Sequence, residues 1–264
     1  MSKLHSFAVC AYGQSPYLRE CLNSLREQSY QDSDVYISTS TPSEWLSDIA
    51  AEYGLRVYVN EGESGIGEDW NYAVSKATTP YVTIAHQDDV YDKHYAASAV
   101  ACLENSPDSL IYFSDYGEVR GNDYVEKNRL LSIKRMLLTP LKSRSLQSKR
   151  WAKRAALRFG SAICCPAVTL NLRNCPVPPF LTGLKSNLDW ATWEAFSRLK
   201  GSFVYDSKSI LMYHRIHSES TTTKLIVSHQ RRGEDIQVLS LFWPKPVAKL
   251  IELLYARGEK SNEL

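Results

Sequence analysis

Short apolar runs alternate with amphipathic segments through the first 115 residues, and this regular order admits few architectures. Residues 5–11 (HSFAVCA) read as a buried strand. A helix follows, capped by Ser15 with Pro16 at its first position and with Leu18, Cys21, Leu22 and Leu25 at helical spacing. DVYIST (34–39) is a second strand. Thr41-Pro42-Ser43-Glu44 is a capping box for a helix lined by Trp45, Leu46 and Ile49, and Gly54 ends it. LRVYVN (55–60), YVTIAH (81–86) and SLIYFS (109–114) supply three more strands, with helices over 66–77 and 92–105 between them. Such alternation with short joints predicts an α/β fold: a mostly parallel, twisted sheet with helices on both faces. Ligands in these sheets sit beyond the carboxyl ends of strands, so the residues after positions 11, 39, 60, 86 and 114 matter most.

Beyond residue 120 the order loosens. Residues 128–159 read as two basic helices broken at Pro140, CCPAVTLN (164–171) as a strand and the Pro-rich stretch 176–179 as a loop. A helix over 187–200, strand-like SFVYDSKSILMYHRIH (202–217) and two terminal helices (225–243 and 246–257) complete a mixed second half.

With 44% apolar and 23% charged residues, the 264-residue chain is neither wholly disordered nor collagen nor coiled coil. The longest apolar run of the first half, Phe7 to Tyr12, is six residues, where a membrane span needs about 20. The opening MSKLHSFAVCAYG lacks the apolar core of a secretory signal. Cys10, Cys21, Cys102, Cys164, Cys165 and Cys175 show no C-x-x-C spacing and read as free, buried thiols of a cytoplasmic protein.

The net charge of +2 conceals an asymmetry. Residues 127–188 contain thirteen basic side chains and no acidic one, which leaves 18 basic against 29 acidic elsewhere. A surface facing polyanions is expected, whether membrane lipid, phosphorylated substrate or nucleic acid. Trp151, Ala155 and Phe159 recur every four residues, as do Ala152 and Ala156, beside Lys149, Arg150, Lys153, Arg154 and Arg158. This stripe fits a basic amphipathic helix lying on an anionic membrane and equally a helix facing the core. The terminal stripe Val247, Leu250, Ile251 and Leu254 has the same two readings. Only Trp151 and Phe159 interleave with the charges, so nucleic acid is not expected.

Ala85-His86-Gln87-Asp88-Asp89-Val90 is the strongest local signal. Adjacent carboxylates at a sheet's carboxyl edge suit a hard divalent cation that neutralises a diphosphate, although turns and caps share this composition. Asp189 stands in the first turn of its helix if Asn187 caps it. There it matches the helix dipole, or, buried beside a substrate, serves as a base whose pKa burial raises against the dipole. His214 and His217 flank Arg215, whose planar fork suits a diphosphate or a pair with Glu219.

FAVCAYGQSPYLRECLNSL (7–25), GIGEDWNYAVSKATTPYVTIAHQDDVY (65–91), Leu188-Asp189-Trp190 and HRIHSEST (214–221) occur in this order. Together they resemble the family 2 glycosyltransferases of the GT-A fold, closely over residues 5–120 and more loosely over 185–221. The resemblance implies transfer of a sugar from a nucleotide diphosphate, UDP first, to an acceptor hydroxyl with inversion. It implies one domain over 1–264: a nucleotide-sugar half (1–120), an acceptor half (121–221) and terminal helices (222–264). It places Ala11, Tyr12, Gly13, Ser40, Asp69, Asn71, Gln87 and Asp88, with Arg215, at the donor. Asp88, Asp89 and His217 would hold Mn2+ or Mg2+, and Asp189 would be the general base. Three positions depart from the family pattern: Ser40 ends the second strand where an aspartate is usual, His86 replaces the first acid of the D-x-D run, and Trp70 replaces the arginine before Asn71.

With the basic segment, this reading implies a glycan or lipid-linked glycan acceptor, polysaccharide or glycan assembly, and peripheral attachment at the inner membrane face. The rival is a non-catalytic protein of the same fold, tethered to anionic membrane by that segment.

Overall fold

The computed structural model describes residues 3–63, 65–217 and 231–259. Its strands are β1 (His5–Ala11), β2 (Ser33–Thr39), β3 (Arg56–Val59), β4 (Tyr81–His86), β5 (Val90–Tyr91), β6 (Ser109–Arg120), β7 (Asp123–Val125), β8 (Val168–Asn171) and β9 (Ser202–Ile216). They form one sheet in the order β3-β2-β1-β4-β8-β6-β9-β5, with β7 paired to β6. The first four are parallel neighbours, as the alternation predicts. Helices α1 (Leu18–Arg26), α2 (Glu44–Tyr53) and α4 (Tyr95–Glu104) cover one face; α3 (Ile66–Ser75) and α7 (Leu188–Ser197) pack on the other. Side chains of β1 alternate between the layers: Phe7, Val9 and Ala11 join the first and Ala8 the second. Burial on both faces explains why the strand reads as an unbroken apolar run.

The second half completes the sheet rather than following it. β8 lies between β4 and β6, antiparallel to both, so the fifth strand expected from the sequence is not a neighbour of the fourth. β6 also runs six residues past the expected end at 114 and pairs with β9 across a bulge. Asp115-Tyr116-Gly117-Glu118-Val119-Arg120 has poor strand composition, which hid this extension. A Cβ at Gly117 would lie 2.7 Å from the Tyr213 ring, so glycine is what lets β6 and β9 pack there.

Local corrections have simple causes. Ser43, not Thr41, caps α2, accepting from Leu46 N–H at 3.2 Å, and the Thr41 hydroxyl is used elsewhere. α1 starts at Leu18, two residues beyond Pro16. The basic helices are short: α5 (Arg129–Leu137) ends before a 3-10 turn that contains Pro140, and α6 is only Arg150–Ala155. The apolar stripe therefore splits, with Ala152 and Ala156 fully buried while Trp151 is 59% and Phe159 38% exposed. Lys153, one of the basic residues beside that stripe, is buried and donates to Leu199 O and Gly201 O, both at 2.8 Å. α8 (Arg231–Leu239) and α9 (Lys245–Glu259) follow; residues 225–230 of the expected helix lie outside the described residues. Among the described residues no helix is long and apolar enough to cross a membrane, and all six cysteines are free.

Candidate active site

The carboxyl ends of β1, β2, β3 and β4 are knitted together by side chains from the turns that follow them. Tyr12 N–H donates to Gln87 Oε1 at 3.2 Å and Gln87 Nε2 returns to Tyr12 O at 2.9 Å, joining the β1 and β4 turns. Gly13, in the left-handed region at φ 62°, donates N–H to Thr41 Oγ1 at 2.7 Å. Asp69, in the first turn of α3, accepts from Ser40 Oγ at 2.8 Å and Asn60 Nδ2 at 2.7 Å. The β2 end thus lacks its own carboxylate and receives one from α3. Asn71 is differently placed: both ends of its amide pair with the backbone of Phe180 at 2.9 Å, anchoring the loop that follows residue 179. Gly67 makes this approach feasible, since a Cβ there would lie 2.7 Å from Leu181 O. Trp70 stacks on His86, centroids 5.1 Å apart.

The Asp88-Asp89 turn is held from β9. Asp89 is fully buried, and its Oδ1 accepts from His214 Nδ1 and Arg215 N–H, each at 2.9 Å. Burial opposes a charged imidazole at His214, but the Asp89 carboxylate outweighs it and lifts that ring to about 9. His217 Nε2 donates to Asp88 Oδ2 at 2.8 Å. Burial works to raise the Asp88 pKa, yet the His217 hydrogen bond and the neighbouring imidazoles hold it below its ordinary value. Arg215, expected at the diphosphate or on Glu219, is 4% exposed. Its guanidinium donates to Asp88 O at 2.9 Å, Gly121 O at 3.3 Å and Glu20 Oε2 at 2.5 Å, above the Tyr17 ring. It clasps the turn from behind; Glu219 lies outside the described residues.

Ligand atoms of His86, Asp88 and Asp89 lie within 4.8 Å of one another. His86 Nε2 and Asp89 Oδ2 are buried, with no hydrogen-bond partner among the described residues. Orphaned buried acceptors beside a paired carboxylate fit a divalent cation, and the imidazole in the set favours a transition metal such as Mn2+ over Mg2+.

Asp189 opens α7, and its charge interacts with those of His86, Lys134 and Arg231. Burial raises its carboxyl pKa, outweighing the Trp190 N–H and the interactions with Arg231, His86 and Lys134 that act to lower it. Asn187 occupies the cap position without making a cap bond; its Nδ2 donates to Asp235 Oδ1 at 2.7 Å. Glu234 of α8 instead holds the turn that leads into the helix, accepting from the N–H groups of Lys185, Ser186 and Asn187 at 2.7, 2.8 and 3.1 Å. Sequence reasoning missed Glu234, which positions the turn bearing Asp189. It also missed Lys134, whose Nζ donates to Tyr116 OH at 2.7 Å and whose pKa is lowered by burial. Neither had a local motif to reveal it.

The family described as Glycosyl transferase family 2 matches residues 6–164, more than half of the chain. An uncharacterized glycosyltransferase of Rickettsia felis is 22% identical over 99% of this chain and 41% of its own length. Glycosyltransferase GlyG of Streptococcus pneumoniae is 24% identical over 47% of this chain and 44% of its own. The chain thus spans less than half the length of that Rickettsia felis relative. Among solved structures, S. aureus TarS 1–349 in complex with UDP-GlcNAc superposes with a TM-score of 0.61 at 15% identity, covering 92% of this chain and 72% of that one. Mannosyltransferase PcManGT of Pyrobaculum calidifontis, in complex with GDP-Man and Mn2+, gives 0.59 at 13% identity, covering 98% and 76%. The architecture is the one these GT-A proteins share.

Proposed function

The chain belongs to the family 2 glycosyltransferases, and we propose that it transfers a sugar from a nucleotide diphosphate, UDP foremost, to an acceptor hydroxyl with inversion. The observation that carries this reading is the turn after β4, where His86 Nε2 and Asp89 Oδ2 are buried without a hydrogen-bond partner among the described residues and ligand atoms of His86, Asp88 and Asp89 lie within 4.8 Å of one another. Asp88 and Asp189 would divide the work of holding a donor and removing a proton. Ala11, Tyr12, Gly13, Ser40, Asp69, Gln87 and Asp88 line the donor side, while Asn71 and Arg215 shape it from behind. Asp88, Asp89 and His86 would hold the divalent cation, and His217, expected as a ligand itself, would orient the Asp88 carboxylate through its Nε2. Bound there, the cation supplies charge neutralisation for the departing nucleoside diphosphate. Asp189 accepts the acceptor's proton; its raised pKa makes it a better proton acceptor than an ordinary aspartate. Fixing both substrates in line lowers the barrier further. The acceptor fitting the basic second half is an anionic or lipid-linked glycan, and glycan or polysaccharide assembly is the process served.

Titration calorimetry of UDP with and without Mn2+, on wild type and Asp88→Ala, tests the donor site. Manganese-dependent binding that the substitution abolishes is the expected result. Equal UDP binding by both proteins would remove Asp88 from the donor site, and no UDP binding with firm GDP binding would reassign the base. The bound GDP-Man in the PcManGT complex makes GDP the first alternative.

A further inference from the structure

The thirteen cations of the acid-free segment divide in the folded chain. Arg135 and Arg173 turn to the carboxylates of Asp115 and Glu104, Arg154 to Glu194, and Lys134 and Lys153 to neutral oxygens. Lys149, Arg150 and Arg158 remain exposed and, with Trp151, Arg154 and Trp243, line an open cavity of about 630 Å³. Its walls are arginine–aromatic stacks. The Arg158 guanidinium lies 4.9 Å from the Phe159 ring and 5.7 Å from Trp243, and that of Arg154 lies 4.6 Å from Phe242.

α9 leaves this cavity directly, two residues after Trp243; it packs Ala248 and Ile251 on the core but leaves three leucines exposed. Leu250, Leu253 and Leu254 are 60%, 47% and 61% exposed. The acid Glu252 is buried on the opposite side beside Ala248, held by Arg232 at 3.0 Å. Lys245 and Lys249 flank the leucines at the surface. From residue 240 to 251 there is no acidic side chain, as in the 127–188 segment. An exposed apolar ridge beside a tryptophan-lined, uniformly cationic cavity is unusual on a solvated surface.

We infer that this face docks on an anionic lipid bilayer, with α9 leucines entering the acyl boundary and the Lys149/Arg150/Arg158 cavity receiving lipid phosphates. A soluble polyanion would use the cations but leave the leucine ridge without purpose. A protein partner would explain the ridge but not the exclusion of acids from both segments. A bilayer accounts for both, with Trp151 and Trp243 suited to the interface between them. The inference rests on the proposed transfer reaction for its purpose: α7 carries both Asp189 and Glu194, the partner of Arg154 in the cavity wall, so one helix joins the base to the face that would meet a lipid-borne acceptor.

The test is co-sedimentation of the full chain with phosphatidylglycerol-containing and pure phosphatidylcholine vesicles. It is run on wild type, on L250E with L254E, and on K149E with R150E; all four positions are exposed, and circular dichroism checks each fold. Wild type is expected to bind the anionic vesicles only, with each double variant weakened roughly tenfold or more. UDP binding with Mn2+ should be the same in all three proteins, so donor-site failure and membrane failure are read separately. Absence of vesicle binding by wild type, or binding that neither double variant weakens, would overturn the inference. So would light scattering that shows a wild-type dimer abolished by L250E with L254E without any vesicle binding, since a second copy would then cover this face.

Discussion

Arg215 separates two accounts of the site, and removing its guanidinium distinguishes them quantitatively. In Arg215→Ala the carbonyl of Asp88 loses a donor at 2.9 Å and that of Gly121 one at 3.3 Å. Hydrogen bonds from charged donors contribute about 1.5–3 kcal/mol each, the longer bond at the low end. Stacking above Tyr17 at 4.4 Å adds about 1 kcal/mol. The pair with Glu20, whose side chain is 46% exposed, adds less than about 1 kcal/mol after solvent screening. Together these give a loss of roughly 4–6 kcal/mol, or a Tm lower by roughly 10–20 °C for a chain of this size. Urea denaturation measures it, and calorimetry of UDP with Mn2+ should show weaker binding as well, because the Asp88 turn loses its support. A variant as stable as wild type that nonetheless fails to bind UDP would refute the clasp and return Arg215 to the diphosphate. Arg215→Lys should recover only part of the stability, since an ammonium cannot reproduce the fork.

Three other substitutions probe the remaining parts. Asp189→Asn should cut sugar transfer by roughly 10²–10⁴-fold while UDP binding stays unchanged; equal turnover in both proteins would remove Asp189 as the base, and no transfer by either would favour the binding-protein reading. In wild type the acidic limb of the rate should lie above the ordinary carboxylate pKa of about 3.9, activity appearing as Asp189 ionises, because burial raises that group. Lys153→Met leaves Leu199 O and Gly201 O without their donor and should cost about 1–3 kcal/mol in urea denaturation near pH 7. Burial lowers the Lys153 pKa to about 8, below the unfolded value of about 10.4, so the unfolded chain binds more protons between those values; wild-type stability should therefore rise with pH across that window relative to the variant. Gly67→Ala places a Cβ 2.7 Å from Leu181 O, and the resulting overpacking of about 1–3 kcal/mol should shift the loop held by Asn71 and weaken UDP binding.

What the sequence disclosed follows the range over which each feature is determined. Strands β1 to β4 and their helices were legible because each arises from adjacent residues, and the turns after them located Tyr12, Asp69, Asp88 and Asp89. The second half obeys contacts that no window contains. β8 is inserted between strands far earlier in the chain, and β6 passes through glycine and charged residues because β9 covers it. The same limit applies to side chains. Arg215 read as a diphosphate contact or a partner of Glu219 because its actual partner Glu20 is 195 residues away, and Glu234 drew no reading because its partners lie 47–49 residues earlier.

This division bears on how the site is tuned. The residues read as donor contact and general base, Asp88 and Asp189, were singled out from short sequence motifs. Their properties are set by remote groups: Asp88 by His214 and His217 on and beyond β9, Asp189 by burial and by the charges of His86, Lys134 and Arg231. His86 shows the two levels meeting. Its identity departs from the family pattern and is visible in four residues of sequence. Its consequence, a buried ring nitrogen without a protein partner, stacked on Trp70 and felt by Asp189, exists only once α3, β4 and α7 converge. The two departures His86 and Trp70 are thus coupled in space: the tryptophan in the usual arginine's position stacks on the imidazole in the usual aspartate's position.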